Sequence, residues 1–140
     1  MCQLDKFTLN QQEAVLMVID IQERIMPPMK YGKQVIKKTN ILITIAEDLG
    51  IPVIFTEQYP EGLGKTVSEV NIGPGAVTFE KTTFSACTEE VISELNRLGR
   101  KKIIITGMET HVCVFQTARD LPALGYQVFV VEDAVCSRTK

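Results

Sequence analysis

Three residues of this 140-residue chain could do covalent chemistry together, and each follows an apolar run. Asp20 ends AVLMVID, Lys81 ends VTFEK, and Cys113 lies in GMETHVC just after KIIIT. An acid, an ammonium and a thiol are the parts of a nucleophilic site. The carboxylate takes the thiol proton, the sulfur attacks a carbonyl, and the ammonium holds the charges and orients the acid. Cys113 falls near the first turn of a helix, where backbone N–H groups, the helix dipole and a nearby ammonium favour a thiolate. The expected thiol pKa is therefore below the ordinary value of roughly 8.5. The same N–H groups could steady an oxyanion. Each residue also has a bland alternative. A cysteine at such a junction is a small buried hydrophobe, Asp20 caps a turn, and Lys81 is a solvated strand end.

The elements around them decide whether they converge. AVLMVID (14–20), PVIFTE (52–57), VTFEKT (77–82), KIIITG (102–107) and QVFVVED (127–133) read as strands, the most apolar of them buried on both faces. Between Lys33 and Leu49, Val35, Ile36, Ile41, Leu42, Ile45, Ala46 and Leu49 follow helical spacing, with Gly50 as the stop. A second helix opens at Thr88-Glu89-Glu90 and stops at Gly99. A third is expected from about His111 to Leu124, with Pro122 disturbing its last turn. QYPEGLGKTVSEVNIGPG (58–75) reads as a long loop over the sheet edge. Alternation of strands and helices predicts a Rossmann-like three-layer α/β/α domain with a mostly parallel sheet. Residues 1–140 form one domain, and the stop after a strand suggests that a C-terminal helix and strand are missing. In such sheets ligands bind beyond the carboxyl ends of the strands, where all three candidates fall.

Composition narrows the setting. Apolar residues make up 45% and charged residues 23%, with a net charge of −2, which gives no reason to expect nucleic acid or a membrane surface as partner. No apolar run is long enough for a membrane span. The start, MCQLDKFTLN, lacks signal-peptide features. Cys2, Cys87, Cys113 and Cys136 are widely spaced, so free thiols in a reducing, cytoplasmic setting are expected. Cys2, Cys87 and Cys136 read as structural or incidental.

VIDIQ (18–22), FEKTTFSA (79–86) and GMETHVCVFQTARDL (107–121), in that order, resemble the isochorismatase-like cysteine hydrolases. These include nicotinamidases and N-carbamoylsarcosine amidohydrolases. The resemblance covers nearly the whole chain and is carried most specifically by the last motif. It implies an isochorismatase-like fold and an Asp-Lys-Cys triad on Asp20, Lys81 and Cys113. It also implies an oxyanion hole from the backbone N–H groups of Glu109 and Cys113, opened by a cis peptide between Met108 and Glu109. The implied activity is hydrolysis of a small amide-like C–N substrate through a thioester on Cys113, by a homo-oligomer, with no cofactor. Nicotinamidases carry an Asp-x-His type metal site after the second strand. Here TEQYPEGLG stands in its place, so no metal is expected and nicotinamidase activity is disfavoured. The TEQYP loop and the GMETHVC turn look more like the branch known as isochorismatase domain-containing proteins.

Gln22, Glu57, Gln58, Tyr59, Phe84 and His111 are candidates for substrate contact. His111, two residues before Cys113, is the rival general base, although its position beside the nucleophile favours lining the pocket or bonding locally. Two other readings stay open: vinyl-ether hydrolysis, and a non-catalytic redox sensor in which peroxide oxidises Cys113 reversibly.

Overall fold

The computed structural model describes residues 8–138, so Cys2 lies outside the described residues. Five strands form one sheet: β1 (Ala14–Ile19), β2 (Val53–Gln58), β3 (Val77–Lys81), β4 (Lys102–Met108) and β5 (Gln127–Cys136). Their order is β3-β2-β1-β4-β5 and every neighbouring pair is parallel. The helices are α1 (Gly32–Leu49), the single turn α2 (Pro60–Leu63), α3 (Glu89–Leu98) and α4 (Phe115–Ala123).

The period-two alternation of β1 explains why its run is apolar throughout. Ala14, Leu16 and Val18 join a core with Val35, Ile36, Ile43 and Ala46 of α1. Val15, Met17 and Ile19 join a second core with Val91 and Leu95 of α3 and Leu121 of α4. A central strand covered on both faces has no polar side to spare. The expected three-layer α/β/α architecture is what the chain adopts.

The helix signals act where they stand. The Thr88 hydroxyl accepts the Val91 N–H at 3.3 Å, Glu89 and Glu90 occupy the first turn of α3, and Gly99 closes it in a left-handed conformation. Gly50 does the same for α1. Three expectations change. The helix expected from His111 begins as a π-helical turn over Thr110–Val114 and becomes regular only at Phe115. β5 runs on to Cys136, because its register against β4 jumps between Ile105 and Gly107 and a bulge absorbs extra residues. The loop after β2 does not simply cross the sheet edge. Glu23 N–H donates to Lys65 O, Arg24 N–H to Leu63 O and Val67 N–H to Ile21 O, so the loop folds back over the exit of β1. Among the described residues no helix is long and apolar enough to cross a membrane.

The strand order reverses at β1, whose neighbours are β2 on one side and β4 on the other. That is where a doubly wound sheet opens a crevice. The two strands flanking it approach closely at their ends. Gly107 is in register with Ile19, has φ +144°, and a Cβ there would stand 2.2 Å from the Ile19 carbonyl oxygen. Only glycine permits that approach. Gly107→Ala is expected to lower unfolding stability by about 2 kcal/mol or more, measured by urea denaturation; a change below about 0.5 kcal/mol would contradict it.

Candidate functional site

The site is built laterally along four strand ends. Asp20 leaves β1 with φ 54°, a conformation that costs a non-glycine residue about 1 kcal/mol and turns the carboxylate across the sheet ends. Its own N–H donates to Thr56 O at 3.1 Å, and the Thr56 hydroxyl donates to Asp20 Oδ1 at 2.8 Å. Oδ2 accepts from Lys81 Nζ at 2.8 Å. Both side chains are essentially out of water, at 0% and 1% exposure.

A buried ion pair stands only if its remaining hydrogen-bonding capacity is met. Lys81 Nζ also donates to Gln58 Oε1 at 2.7 Å, Phe84 O at 2.9 Å and Thr83 O at 3.1 Å. The ammonium thus has four acceptors for three protons. This cradle follows from register, since Lys81 pairs with Gln58 across β3 and β2, and Ile19 with Thr56 across β1 and β2.

Cys113 reaches Asp20 from the other side, on the π-helical turn after β4. It is buried, and its thiol is pushed up to about 12. Burial is the largest cause, followed by the Asp20 charge; Lys81 opposes them, and a hydrogen bond to Asp20 and the Glu109 charge add to the rise. The expectation of a lowered pKa is therefore overturned. Low dielectric and a facing carboxylate both penalise a thiolate, and the ammonium already spends its field on Asp20. The raised pKa favours a neutral thiol at Cys113, beside the Asp20 carboxylate.

The expected cis peptide between Met108 and Glu109 is not found: among the described residues every peptide bond is trans. The turn is made instead by Glu109 in a left-handed conformation, φ 65° and ψ 62°. Its carbonyl accepts from Val112 N–H at 3.0 Å and Val114 N–H at 3.2 Å. The Cys113 turn is also tied to the loop that faces the Lys81 ammonium. Thr117 Oγ1 donates to Cys113 O at 2.7 Å and accepts the Ala86 N–H at 2.8 Å.

Cys113 opens onto a cavity of about 260 Å³ lined by Arg24, Ile25, Pro28, Gln58, Leu63, Phe84, Glu109, Val112 and Arg138 as well. A larger cavity, about 1250 Å³, lies beside it between the start of α1 and the end of β5. The larger one shares Glu109 and Arg138 but does not include Cys113. Cys113 lines only the smaller of these two.

Of the expected substrate contacts, Phe84 and Gln58 line the Cys113 cavity. Gln22 does not: it is fully buried, and its amide is spent on Gln58 O, Gly64 O and Gln58 N–H at 2.9, 2.7 and 2.6 Å. It clamps the loop after β2. Glu57 is likewise occupied by the Thr66 N–H at 2.7 Å and hydroxyl at 2.9 Å. Tyr59 is exposed outside the cavity, with its N–H on Lys81 O at 2.8 Å. His111 lines the larger cavity, its Nδ1 2.7 Å from Ser137 Oγ and its Nε2 3.7 Å from Glu109. Arg24, Leu63 and Arg138 were not singled out from the sequence. They come from turns and loops whose direction no periodicity reports. Thr56 and Thr117 carried one usable signal, a hydroxyl within an otherwise apolar buried face. Among the described residues no group of three or more His, Cys, Asp or Glu side chains could hold a metal ion.

The isochorismatase domain profile matches residues 14–140. Isochorismatase domain-containing protein 1 of Danio rerio is 40% identical over 132 residues, covering 94% of this chain and 47% of its own length. Isochorismatase family protein 1A of Dictyostelium discoideum is 40% identical over 135 residues, covering 92% and 66%. The solved structure of a MAR1 ribonuclease from Caenorhabditis elegans superposes with a TM-score of 0.88 at 40% identity, covering 94% of this chain and 68% of that one. The chain thus spans about half to two thirds of the length of these relatives. With the profile matched over nearly its whole length, the chain belongs to the isochorismatase domain family.

Proposed function

We propose that this chain is a hydrolase of small amide-like substrates that uses Cys113 as nucleophile, Asp20 as general base and acid, and Lys81 as the fixed countercharge. The observation that carries it is one buried carboxylate that is paired with an ammonium at 2.8 Å and whose charge also acts on the neighbouring thiol. A structural ion pair has no need of the thiol, and an inert cysteine has no need of the pair.

The raised thiol pKa sets the order of events. No standing thiolate attacks; Sγ bonds to the substrate carbon as its proton passes to Asp20. The carbonyl oxygen takes up charge, for which the N–H groups of Glu109 and Cys113 are the donors we assign. Collapse breaks the C–N bond, and Asp20 returns the proton to the leaving nitrogen. Water then attacks the thioester, giving its proton to Asp20; the acid leaves and the thiol is restored. Lys81 stays charged throughout and keeps Asp20 oriented. The cavity of about 260 Å³ fits a small molecule. A low net charge of −2 gives no support for carrying the ribonuclease name of the worm relative over to this chain. A redox-sensing role is disfavoured, because peroxide reacts with thiolates. Free thiols at Cys87, Cys113 and Cys136 fit a reducing, cytoplasmic setting.

In a screen of small carboxamides and ureido compounds read by ammonia release, Cys113→Ala and Asp20→Asn are each expected to lower kcat by roughly a thousandfold or more. Full activity in either variant would refute the mechanism. Iodoacetamide labelling of Cys113, followed by intact mass against pH, tests the resting state. The rate is expected to climb through pH 10 without levelling, and Asp20→Asn, which removes a raising charge, should bring the apparent pKa down. A plateau below pH 8.5 in the parent would contradict it. Lys81→Met leaves a buried carboxylate unpaired, and is expected to cost roughly 3–5 kcal/mol of stability in chemical denaturation.

A further inference from the structure

The Lys81 ammonium can only donate hydrogen bonds, so the end of the Gln58 amide that faces it, 2.7 Å away, is the oxygen. The two ends of an amide have nearly the same outline, but a reversed Gln58 would set N–H groups against N–H groups. Nε2 is therefore the end turned away from the ion pair. Gln58 lines the Cys113 cavity, and its Nε2 meets no acceptor among the described residues. It is not among the sealed, unpartnered polar atoms either, so it stands open to a ligand.

This donor is held in place. Gln22 accepts the Gln58 N–H at 2.6 Å and donates to the Gln58 carbonyl at 2.9 Å, and strand register sets Gln58 beside Lys81. With the backbone and the side-chain oxygen both fixed, little rotamer freedom remains to be lost when a ligand binds. The ammonium also draws charge from Oε1, which makes the N–H groups at the other end of the amide stronger donors. These constraints come from inside the fold and do not depend on what lies over the mouth of the cavity.

We propose that Gln58 Nε2 is a specificity-determining donor, and that the substrate carries a second hydrogen-bond acceptor besides its scissile carbonyl. The place of the scissile carbonyl, on the N–H groups of Glu109 and Cys113 after β4, comes from the amide-hydrolase reading above, on which this assignment rests. Gln58 ends β2, and β1 lies between β2 and β4, a separation of roughly 10 Å between the outer two strands. One oxygen does not serve both places. The substrate class is therefore a small amide with a second carbonyl a few bonds from the first, such as a diamide. An alkyl group in that position would leave a polar N–H facing carbon, which is how a site built to donate rejects a ligand without an acceptor.

Succinamide and isocaproamide are matched probes, because the second carboxamide of one is an isopropyl group of similar shape in the other. Their binding to a Cys113→Ala form of the full chain, followed by heteronuclear NMR titration, tests the assignment without turnover. Succinamide is expected to bind roughly five- to tenfold more tightly and to move the Gln58 side-chain amide signal, which isocaproamide should leave in place. Adding Gln58→Met keeps the side chain's length and removes the donor, and should bring the two affinities within about twofold of each other. A change that merely loosened Lys81 would weaken both probes alike and preserve their ratio. Equal affinities before Gln58 is changed, no binding of either probe, or a preference that survives Gln58→Met would overturn the proposal. The expected preference, with no ammonia released from succinamide by the unaltered chain, would retire the hydrolase reading and leave the Gln58 donor standing.

Discussion

A carboxylate and an ammonium 2.8 Å apart, both shut away from water, form the constraint around which the carboxyl end of the sheet is arranged. Neither charge is tolerated there alone. The desolvation of each is several kcal/mol, and direct attraction offsets it only when every remaining donor and acceptor is also met. That requirement accounts for Thr56 on one carboxylate oxygen and for Gln58, Thr83 and Phe84 around the ammonium. It also recruits residues with no chemistry of their own. Gln22 fixes the backbone of Gln58 from both sides, and Thr117 joins the loop that supplies two of the ammonium's acceptors to the turn that carries Cys113.

Much of this was legible in the residues before any coordinates. β1 reads as doubly buried because both periodic faces of AVLMVI are apolar, and the caps at Thr88, Gly99 and Gly50 mark helix ends by chemistry that acts within a few residues. The convergence of Asp20, Lys81 and Cys113 was legible too, because parallel sheets place successive strand ends on one edge. What was not legible depends on distance in space rather than in sequence. The pKa of Cys113 is set by how deeply it lies and by which charge faces it, and local motif reasoning, which sees only the helix start, reports the opposite sign. Gln22 and Glu57 look like ligands for a substrate because they are polar and near the right strand ends. Only the fold shows that the returning loop already occupies them.

On the proposed function, machinery and specificity therefore sit on different kinds of structure. Asp20 and Lys81 are held by strand ends and register and Cys113 by the π-helical turn after β4, whereas Arg24, Leu63, Phe84 and Arg138, which line the cavity, come from connecting segments. A family can alter such segments without disturbing the buried pair, and loops tolerate change far better than a doubly covered sheet does. The open reversal point between β1 and β4, kept narrow by Gly107, is common to both parts.

The neutral resting thiol also bears on chemical durability. Peroxides, quinones and other soft electrophiles consume cysteines in proportion to their thiolate content. A buried sulfur facing a carboxylate, with its pKa raised, presents little thiolate to such reagents. On the mechanism proposed above, its reactivity is released by a carbonyl seated close enough for bond formation and proton transfer to occur together. On the proposed mechanism the carboxylate that makes Cys113 a nucleophile during turnover also adds to the burial that keeps its thiol protonated between turnovers.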